Sequence, residues 1–483
     1  MKISKQLLSN LNLKFNHGNI PSKINHVTFD SRNVAKGDMF VAIPGSINDG
    51  HNYIDNAIDD GAVLIVSQKE PEYIRKAICY LIVDDTRKSL SIIAAEYYNY
   101  PAKHITIIGV TGTNGKTTIV HLLFQLFNDL DYKTGIISTI GNRVHNKYYQ
   151  TSHTTPNILE IHRLLAEMVK QNCQYCFMEV SSHAIHQYRI YGLEFSGGVF
   201  SNITTEHLDY HKTFNEYLEV KKSFFDLLPK ESFALTNDDD INGSYIISGT
   251  HAKKYTYSIK SVSDFRCNVL QNQFDGMLLK INNRDVWVNL IGDFNAYNIL
   301  AVYSTAKILG IEEEDILIKI SSLESPNGRF QQIISDNGSI GIIDYAHTDD
   351  ALRNILKTIN SIKSKEQNII TVIGCGGDRD KSKRSKMGKV AYNLSFQVVF
   401  TSDNPRSESP DAIIRDMLCD LNQEQQKKVI KIIDRKEAIK TACKISVPGD
   451  IILVAGKGHE QYQEIHGNKI LFNDRNELVK SLT

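Results

Sequence analysis

The sequence predicts an α/β protein of several domains, on three observations. The first is "IIGVTGTNGKTTIVHLLFQLF" (107–127), where a β-branched run, a glycine loop and an apolar pattern of helical period follow one another. The second is the regular alternation of short apolar runs with amphipathic stretches after residue 328, the pattern of a doubly wound, mostly parallel sheet. The third is length: 483 residues exceed a single core, at roughly 100–200 residues per domain.

Composition narrows the class. Apolar residues make up 41% and charged residues 23%, as in ordinary globular proteins. Lys+Arg and Asp+Glu balance at 55 each, which argues against a nucleic-acid binder built on phosphate neutralisation. No apolar run reaches about 18 residues, so no membrane span is expected. "MKISKQLLSNLNLKF" lacks the apolar core of a secretory signal. The seven cysteines are scattered, and Cys173 and Cys176 form a lone CxxC. Buried free thiols in a reducing compartment, the cytoplasm, are expected.

Along the chain, residues 1–101 mix β-rich runs such as "DMFVAIPG" and "CYLIVDD" with helical segments such as "NYIDNAIDDGA". Pro101 disfavours helix before it and marks a boundary. The next block runs from the glycine loop through the helical "NILEIHRLLAEMVKQN" and the apolar "YCFMEVSS". Then "KKYTYSI", "GMLLKI" and "DVWVNLIG" read as antiparallel strands before the helix "NAYNILAVYSTAKILG". Pro326, Asn327 and Gly328 mark a second boundary. Beyond it, strands end in "DYAHT", "GCGGDRDK", "SDNPRSE" and "AGKGHE", with Pro410 suited to a first helical position. Ligands of such sheets bind beyond the carboxyl ends of the strands.

The loop Gly112, Thr113, Asn114, Gly115, Lys116, Thr117, Thr118 is close to GxxxxGK[ST], although Val110 stands where the first glycine is required. Its chemistry survives: backbone N–H groups and a helix N-terminus cradle phosphates, Lys116 reaches the outer ones, and Thr117 can ligate Mg²⁺. Glu179 lies in an apolar strand and needs either a salt-bridge partner or a metal. In "EHLDYH", His207, Asp209 and His211 share one face if extended. Zinc, a hydrogen-bond cluster and a nucleotide-linked Mg²⁺ or substrate site remain open there. Lys221 and Lys222 sit in an apolar helical pattern, where lysines usually snorkel. Asn295 and Asn298 share a helical face. Arg329, Asp344 and His347 sit at the boundary and a strand end, each open to a structural or a functional role. Arg406 is either a solvated turn residue or a bidentate clamp for a carboxylate.

Taken together, "DSRNVAKGDMFVAIPG", "GVTGTNGKTT", "MEVSSHA", "HLDYH", "GDFNAYN", "DYAHT", "GCGGDRDK", "DNPRSE" and "AGKGHE" resemble the Mur ligases in content and order, from about residue 28 to 465. The resemblance is nearest to members that add diaminopimelate to UDP-N-acetylmuramoyl-L-alanyl-D-glutamate. It implies an N-terminal mixed α/β UDP-binding domain (1–101), a central P-loop ATPase domain (102–327) and a C-terminal Rossmann-like amino-acid-binding domain (328–483). It implies that ATP phosphorylates a substrate carboxylate and that an amine attacks the acyl phosphate. Lys116, Glu179, His207, Lys221, Asn295 and Asp344 are then the catalytic set. Gly112 to Thr118, Asn298, Arg329 and His347 attend ATP. Thr117, Glu179, His207 and a CO₂-derived carbamate on Lys221 hold Mg²⁺.

The resemblance also assigns Phe29 and Ser31 to a uridine-binding strand and Ser46, Ile47 and Asn48 to the loop after it. His153, Thr154, Thr155, Ser181, Gln187 and Arg189 attend the peptide end. Arg379, Asp403, Asn404, Pro405, Arg406, Gly456 and Glu460 bind meso-diaminopimelate, whose second carboxylate Arg406 would clamp. An arginine there would repel a lysine side chain. Alternatives are the same ligation with L-lysine, or a folylpolyglutamate synthetase-like ligase. A cytoplasmic monomer without nucleic-acid partners is expected.

Overall fold

The computed structural model describes residues 3–45 and 48–482, with Asp209 described by its backbone alone. The assignments of Ser46 and Ile47 lie outside the described residues. The chain falls into two units, one comprising Met1–Gly109, Tyr132–Gly198 and Ser223–Phe233, the other Val110–Asp131, Val199–Lys222 and Ala234–Thr483.

In the first unit, the N-terminal segment forms a five-stranded sheet in the order Leu13–His17, Cys79–Val83, Ala62–Ser67, Asp38–Val41, Val27–Thr28. Only the edge strand Leu13–His17 is antiparallel. Phe40, Ile65, Tyr80 and Ile82 pack one core with Ala57 of the helix Ile54–Asp59. The resemblance puts Phe29 and Ser31 on a strand, but neither lies in one. The strand ends at Thr28, because the Asp30 carboxylate accepts from Arg32 N and turns the chain into a 3₁₀ turn over Ser31–Asn33. The same unit contains the parallel strands Thr134–Ile137 and Tyr175–Glu179. Cys173 and Cys176 are free and buried.

In the second unit, the helix Lys116–Asp129 carries nine buried residues, while Asp293–Ile308 is buried nearly all round. The expected antiparallel patch is partly right. Phe265–Gln273, Gly276–Ile281 and Arg284–Val288 are antiparallel, but Lys253–Ser258 pairs parallel with Phe265–Gln273. In the connection between these two strands, the Asp239 carboxylate accepts from the Ile259, Lys260 and Ser261 N–H groups.

The C-terminal sheet of this unit has the order Gln331–Ile334, Ile340–Asp344, Ile451–Ala455, Ile369–Ile373, Gln397–Phe400, Ile430–Lys431. All its pairs are parallel except the first. Its central strands are buried on both faces, which explains their near-continuous β-branched runs. Pro410 opens the helix Pro410–Leu418.

Candidate active site

The phosphate-binding loop is shaped by residues remote in sequence. Asn202 accepts from Thr113 N through its carbonyl at 2.7 Å and from Asn114 N through its side chain at 2.9 Å. Ser201 Oγ donates to Asn114 O at 2.6 Å. Gly115 has φ +86°, and a Cβ there would stand 2.6 Å from Asn298 Oδ1, while a Cβ on Gly112 would strike Ser201 Oγ. The loop thus needs glycine at 112 and 115 but tolerates Val110 in the strand before it. Asn298 itself is oriented by Asn295, whose Oδ1 accepts from Asn298 Nδ2 at 2.9 Å.

Two lysines converge on this loop. Lys116 Nζ donates to Gly112 O at 2.9 Å and Thr113 O at 2.7 Å. Lys221, on the helix Phe214–Asp226, is 1% exposed and donates to the same Gly112 carbonyl at 2.8 Å. Its ammonium lies 4.6 Å from the Tyr217 ring centroid. Burial, and then the charge of Lys116, push the Lys221 ammonium well below the ordinary lysine range, with Glu206 opposing. A lysine held this way is readily a neutral, nucleophilic amine. Lys222 is not buried, so the two adjacent lysines are distinguished by the helix face they occupy.

"EHLDYH" is not extended. His207, at φ +57°, precedes a helical turn over Leu208–His211, so alternate residues do not share a face. The backbone bends there because Tyr210 N and His211 N both donate to His207 O. The carboxylate that organises this region is Glu206, which was not among the residues singled out. Its oxygens stand 3.7 Å from His207 Nε2 and 3.4 Å from His347 Nε2. Burial would raise the Glu206 carboxyl, but the hydrogen bond from His347 and the charges of His207, His347 and Lys116 outweigh it and hold the group ionised. His207 is lowered to about 4, chiefly by burial.

Residues from the second boundary reach the same loop. Arg329 donates to Thr117 Oγ1 at 3.2 Å, and its guanidinium stacks 4.6 Å from the Tyr345 centroid. Asp350, also unanticipated, accepts from Asn114 Nδ2 at 3.2 Å. Asp344 is raised to about 6 by burial. Both of its oxygens are engaged, by Phe330 N and Ala346 N at 2.7 Å each, so it ties the boundary segment to the strand end. The set of hydroxyl, imidazole and carboxylate donors beside two lysines fits a hard dication that takes most of its oxygens from phosphates and water.

In the first unit, Glu179 is fully buried, and among the described residues it pairs with neither a cation nor a second acid. Thr139 supplies both contacts, N to Oε1 at 2.8 Å and Oγ1 to Oε2 at 3.1 Å. Thr139 Oγ1 also lies 3.0 Å from Thr154 Oγ1. Thr155 Oγ1 donates to Glu179 O and accepts from Ser181 N. Arg189 donates to Thr155 O at 2.9 Å and grips Gln187 Oε1 through two nitrogens. Thr154, Thr155, Ser181, Gln187 and Arg189 are therefore one network with Glu179. His153 stands apart from its hydrogen bonds, exposed beside Ser152 Oγ at 2.8 Å. Asn48 accepts from Gly45 N at 3.1 Å, while Phe29 precedes the Asp30–Arg32 pair and Ser31 lies between its two members.

At the C-terminal sheet, a second cluster forms in the second unit. Arg406, at φ +51°, donates to Gly377 O at 2.6 Å and pairs with Glu464 at 3.2 Å. A Cβ on Gly376 would lie 3.1 Å from Arg406 Nη1 and 3.7 Å from Arg379 Cγ, so both arginines flank that glycine. Asn404 donates to Glu460 at 2.8 Å. Gly377 packs against Pro405 O, and Gly456 against Asp403. Lys457 and Glu464 complete the cluster. Lys457 lay within "AGKGHE", but nothing in its spacing distinguishes a buried lysine from a loop lysine.

Comparison with known proteins places these clusters in context. Residues 23–98 match the Mur ligase family, catalytic domain; 110–306 match the Mur ligase middle domain; 328–458 match the Mur ligase, glutamate ligase domain. The UDP-N-acetylmuramoyl-L-alanyl-D-glutamate–2,6-diaminopimelate ligase of Cytophaga hutchinsonii is 49% identical over 472 residues, 98% of this chain and 97% of that protein. The Bacteroides fragilis protein of the same name is 48% identical over 482 residues, covering 100% and 99%. A solved structure of a ligase of that name aligns over 100% of this chain and 99% of its own, with TM-score 0.70 and 30% identity.

Proposed function

Since the chain belongs to the Mur ligase family and carries its three-domain α/β fold, we propose that it is the ATP-dependent ligase that joins meso-diaminopimelate to the D-glutamate of UDP-N-acetylmuramoyl-L-alanyl-D-glutamate. ADP and phosphate are the other products, and the reaction is a step in peptidoglycan precursor synthesis. We place the domain limits at 1–101, 102–327 and 328–483. The observation that carries the reading is the Asp403–Asn404–Arg406–Glu460 cluster, which offers acidic and amide oxygens beside a guanidinium at the strand ends. Such a set suits the distal end of diaminopimelate, which bears both an ammonium and a carboxylate.

The residues act mainly by positioning and charge neutralisation. Lys116 and the loop N–H groups hold the outer phosphates, with Asn298 and Arg329 bracing the loop. Lys221, as a neutral amine, would take up CO₂ and release a proton to solvent to become an anionic carbamate. Thr117, His207 and that carbamate would be donors for Mg²⁺. When bound, Mg²⁺ neutralises the charge of the transferring phosphoryl group. His153, Thr154, Thr155, Ser181, Gln187 and Arg189 attend the dipeptide, and Phe29, Ser31, Ser46, Ile47 and Asn48 the uridine. Among the described residues no helix is long and apolar enough to cross a membrane. We place the enzyme in the cytoplasm as a monomer.

An acyl phosphate makes a specific demand on oxygen. With the glutamate carboxylate labelled in ¹⁸O, one labelled oxygen must leave with each phosphate, read by mass spectrometry. Unlabelled phosphate from a turning-over enzyme would overturn the mechanism.

A further inference from the structure

The loop after Ile451–Ala455 carries a lysine that the reaction as described does not use. The Lys457 side chain is 0% exposed. Its Nζ donates to Asn404 Oδ1 at 3.0 Å and Glu460 Oε2 at 2.7 Å, and stands 3.9 Å from Asp403 Oδ1. The Tyr462 ring lies 5.8 Å away on another side. Asn404 is fixed at both ends of its amide: Oδ1 also accepts from Glu464 N at 2.9 Å, and Nδ2 donates to Glu460 Oε2. A Cβ on Gly456 would stand 2.8 Å from Asp403 Oδ2, so the loop backbone is drawn close against that acid.

A buried ammonium is costly without anionic partners, and converging carboxylates repel unless a cation sits between them. Lys457 meets both requirements at once. Asp403 and Glu460 bring two negative charges; Lys457 offsets one and Arg379, beside Gly376, offsets the other. Arg406 is already balanced by Glu464. What remains suits a group bearing one ammonium and one carboxylate. Without Lys457 the same walls would carry an extra negative charge and would favour a bare ammonium.

We infer that Lys457 is a positioning and specificity-determining residue of the amino-acid site. It is an internal cation that fixes Asp403, Asn404 and Glu460 and sets their net charge, so that an amino acid ending in both ammonium and carboxylate is preferred over one ending in ammonium alone. The inference rests on the amino-acid assignment proposed above.

The test is steady-state turnover of Lys457→Met with meso-diaminopimelate and with L-lysine, at saturating ATP and nucleotide dipeptide. The kcat/KM ratio of diaminopimelate over lysine falls by about tenfold or more, mainly through a higher KM for diaminopimelate, while KM for ATP stays within about twofold. Lys457→Met/Glu460→Gln restores the charge count, and the ratio returns to within about threefold of the wild-type value. An unchanged ratio in the single variant, or a kcat loss equal for both amino acids, overturns the inference. Should the single variant not fold, the double variant decides: a wild-type ratio supports the inference and a preference for lysine overturns it. Wild-type enzyme in the same assay separates the two readings. No turnover with either amino acid overturns the ligase reading and this inference with it, whereas wild-type turnover with an unmoved variant ratio overturns the inference alone.

Discussion

The two charged clusters of the second unit are built on opposite plans. At the phosphate-binding loop, Lys116 and Lys221 both donate to the Gly112 carbonyl, and the nearby carboxylate, Glu206, is turned towards two histidines. At the C-terminal strand ends, cations and anions pair side chain to side chain: Arg406 with Glu464, Lys457 with Glu460. The first cluster holds the Lys116 charge against neutral carbonyls, ready for an anion of high charge. The second is nearly balanced before any ligand arrives, so it discriminates by geometry and charge count more than by raw attraction. On the proposed reading, affinity for phosphate and selectivity among amino acids sit in separate parts of the chain.

The sharpest way to break this contrast is to remove the buried lysine of the first cluster. Lys221→Ala should lower kcat by about a thousandfold in a phosphate-release assay, with partial rescue by a small carboxylic acid standing in for the carbamate. Full activity without additive would show that the loop needs only one of its two lysines. A smaller effect is expected at the second cluster. Arg406→Ala should raise KM for diaminopimelate by about ten- to a hundredfold and leave ATP binding intact, as expected for one lost charge-assisted contact. Unchanged amino-acid kinetics would remove the clamp from the account.

The smallest effect concerns stability, at the residue that faces both clusters. His459 is lowered from 6.5 to about 3 by burial, then by Arg329 and Lys457. The unfolded chain binds a proton near its ordinary value, whereas the folded protein resists until about pH 3. Its contribution is therefore present above pH 6.5 and lost as pH falls towards 3. His459→Phe should flatten the loss of thermal stability across that window. An unaltered pH profile would mean that the imidazole does not stay neutral in the folded state.

What could be read from the sequence follows from how local each signal is. The phosphate loop was legible because its chemistry requires contiguous residues, and the C-terminal strands because burial on both faces demands β-branched runs. The helix Ser382–Leu394 was missed: its sequence, SKRSKMGKVAYNL, is strongly cationic, and its buried Arg384 is neutralised only in three dimensions by Glu408 and Asp416. "EHLDYH" misled because one leucine among five polar or aromatic residues carries no period, and the controlling acid, Glu206, acts through His347, which is remote in sequence. Burial separates Lys221 from Lys222 and picks out Lys457, and burial by tertiary packing leaves no mark on spacing. Phe29 and Ser31 were placed on a strand that an Asx turn at Asp30 ends early.

The most direct test of the account offers the enzyme ATP, Mg²⁺ and UDP-N-acetylmuramoyl-L-alanyl-D-glutamate, with meso-diaminopimelate or L-lysine in parallel. Phosphate release is followed, and the nucleotide product is weighed by mass spectrometry. The account predicts phosphate release and a tripeptide product with diaminopimelate and little with lysine. Turnover with lysine alone would contradict the specificity assigned to the C-terminal cluster, and phosphate release independent of either amino acid would contradict the ligase itself.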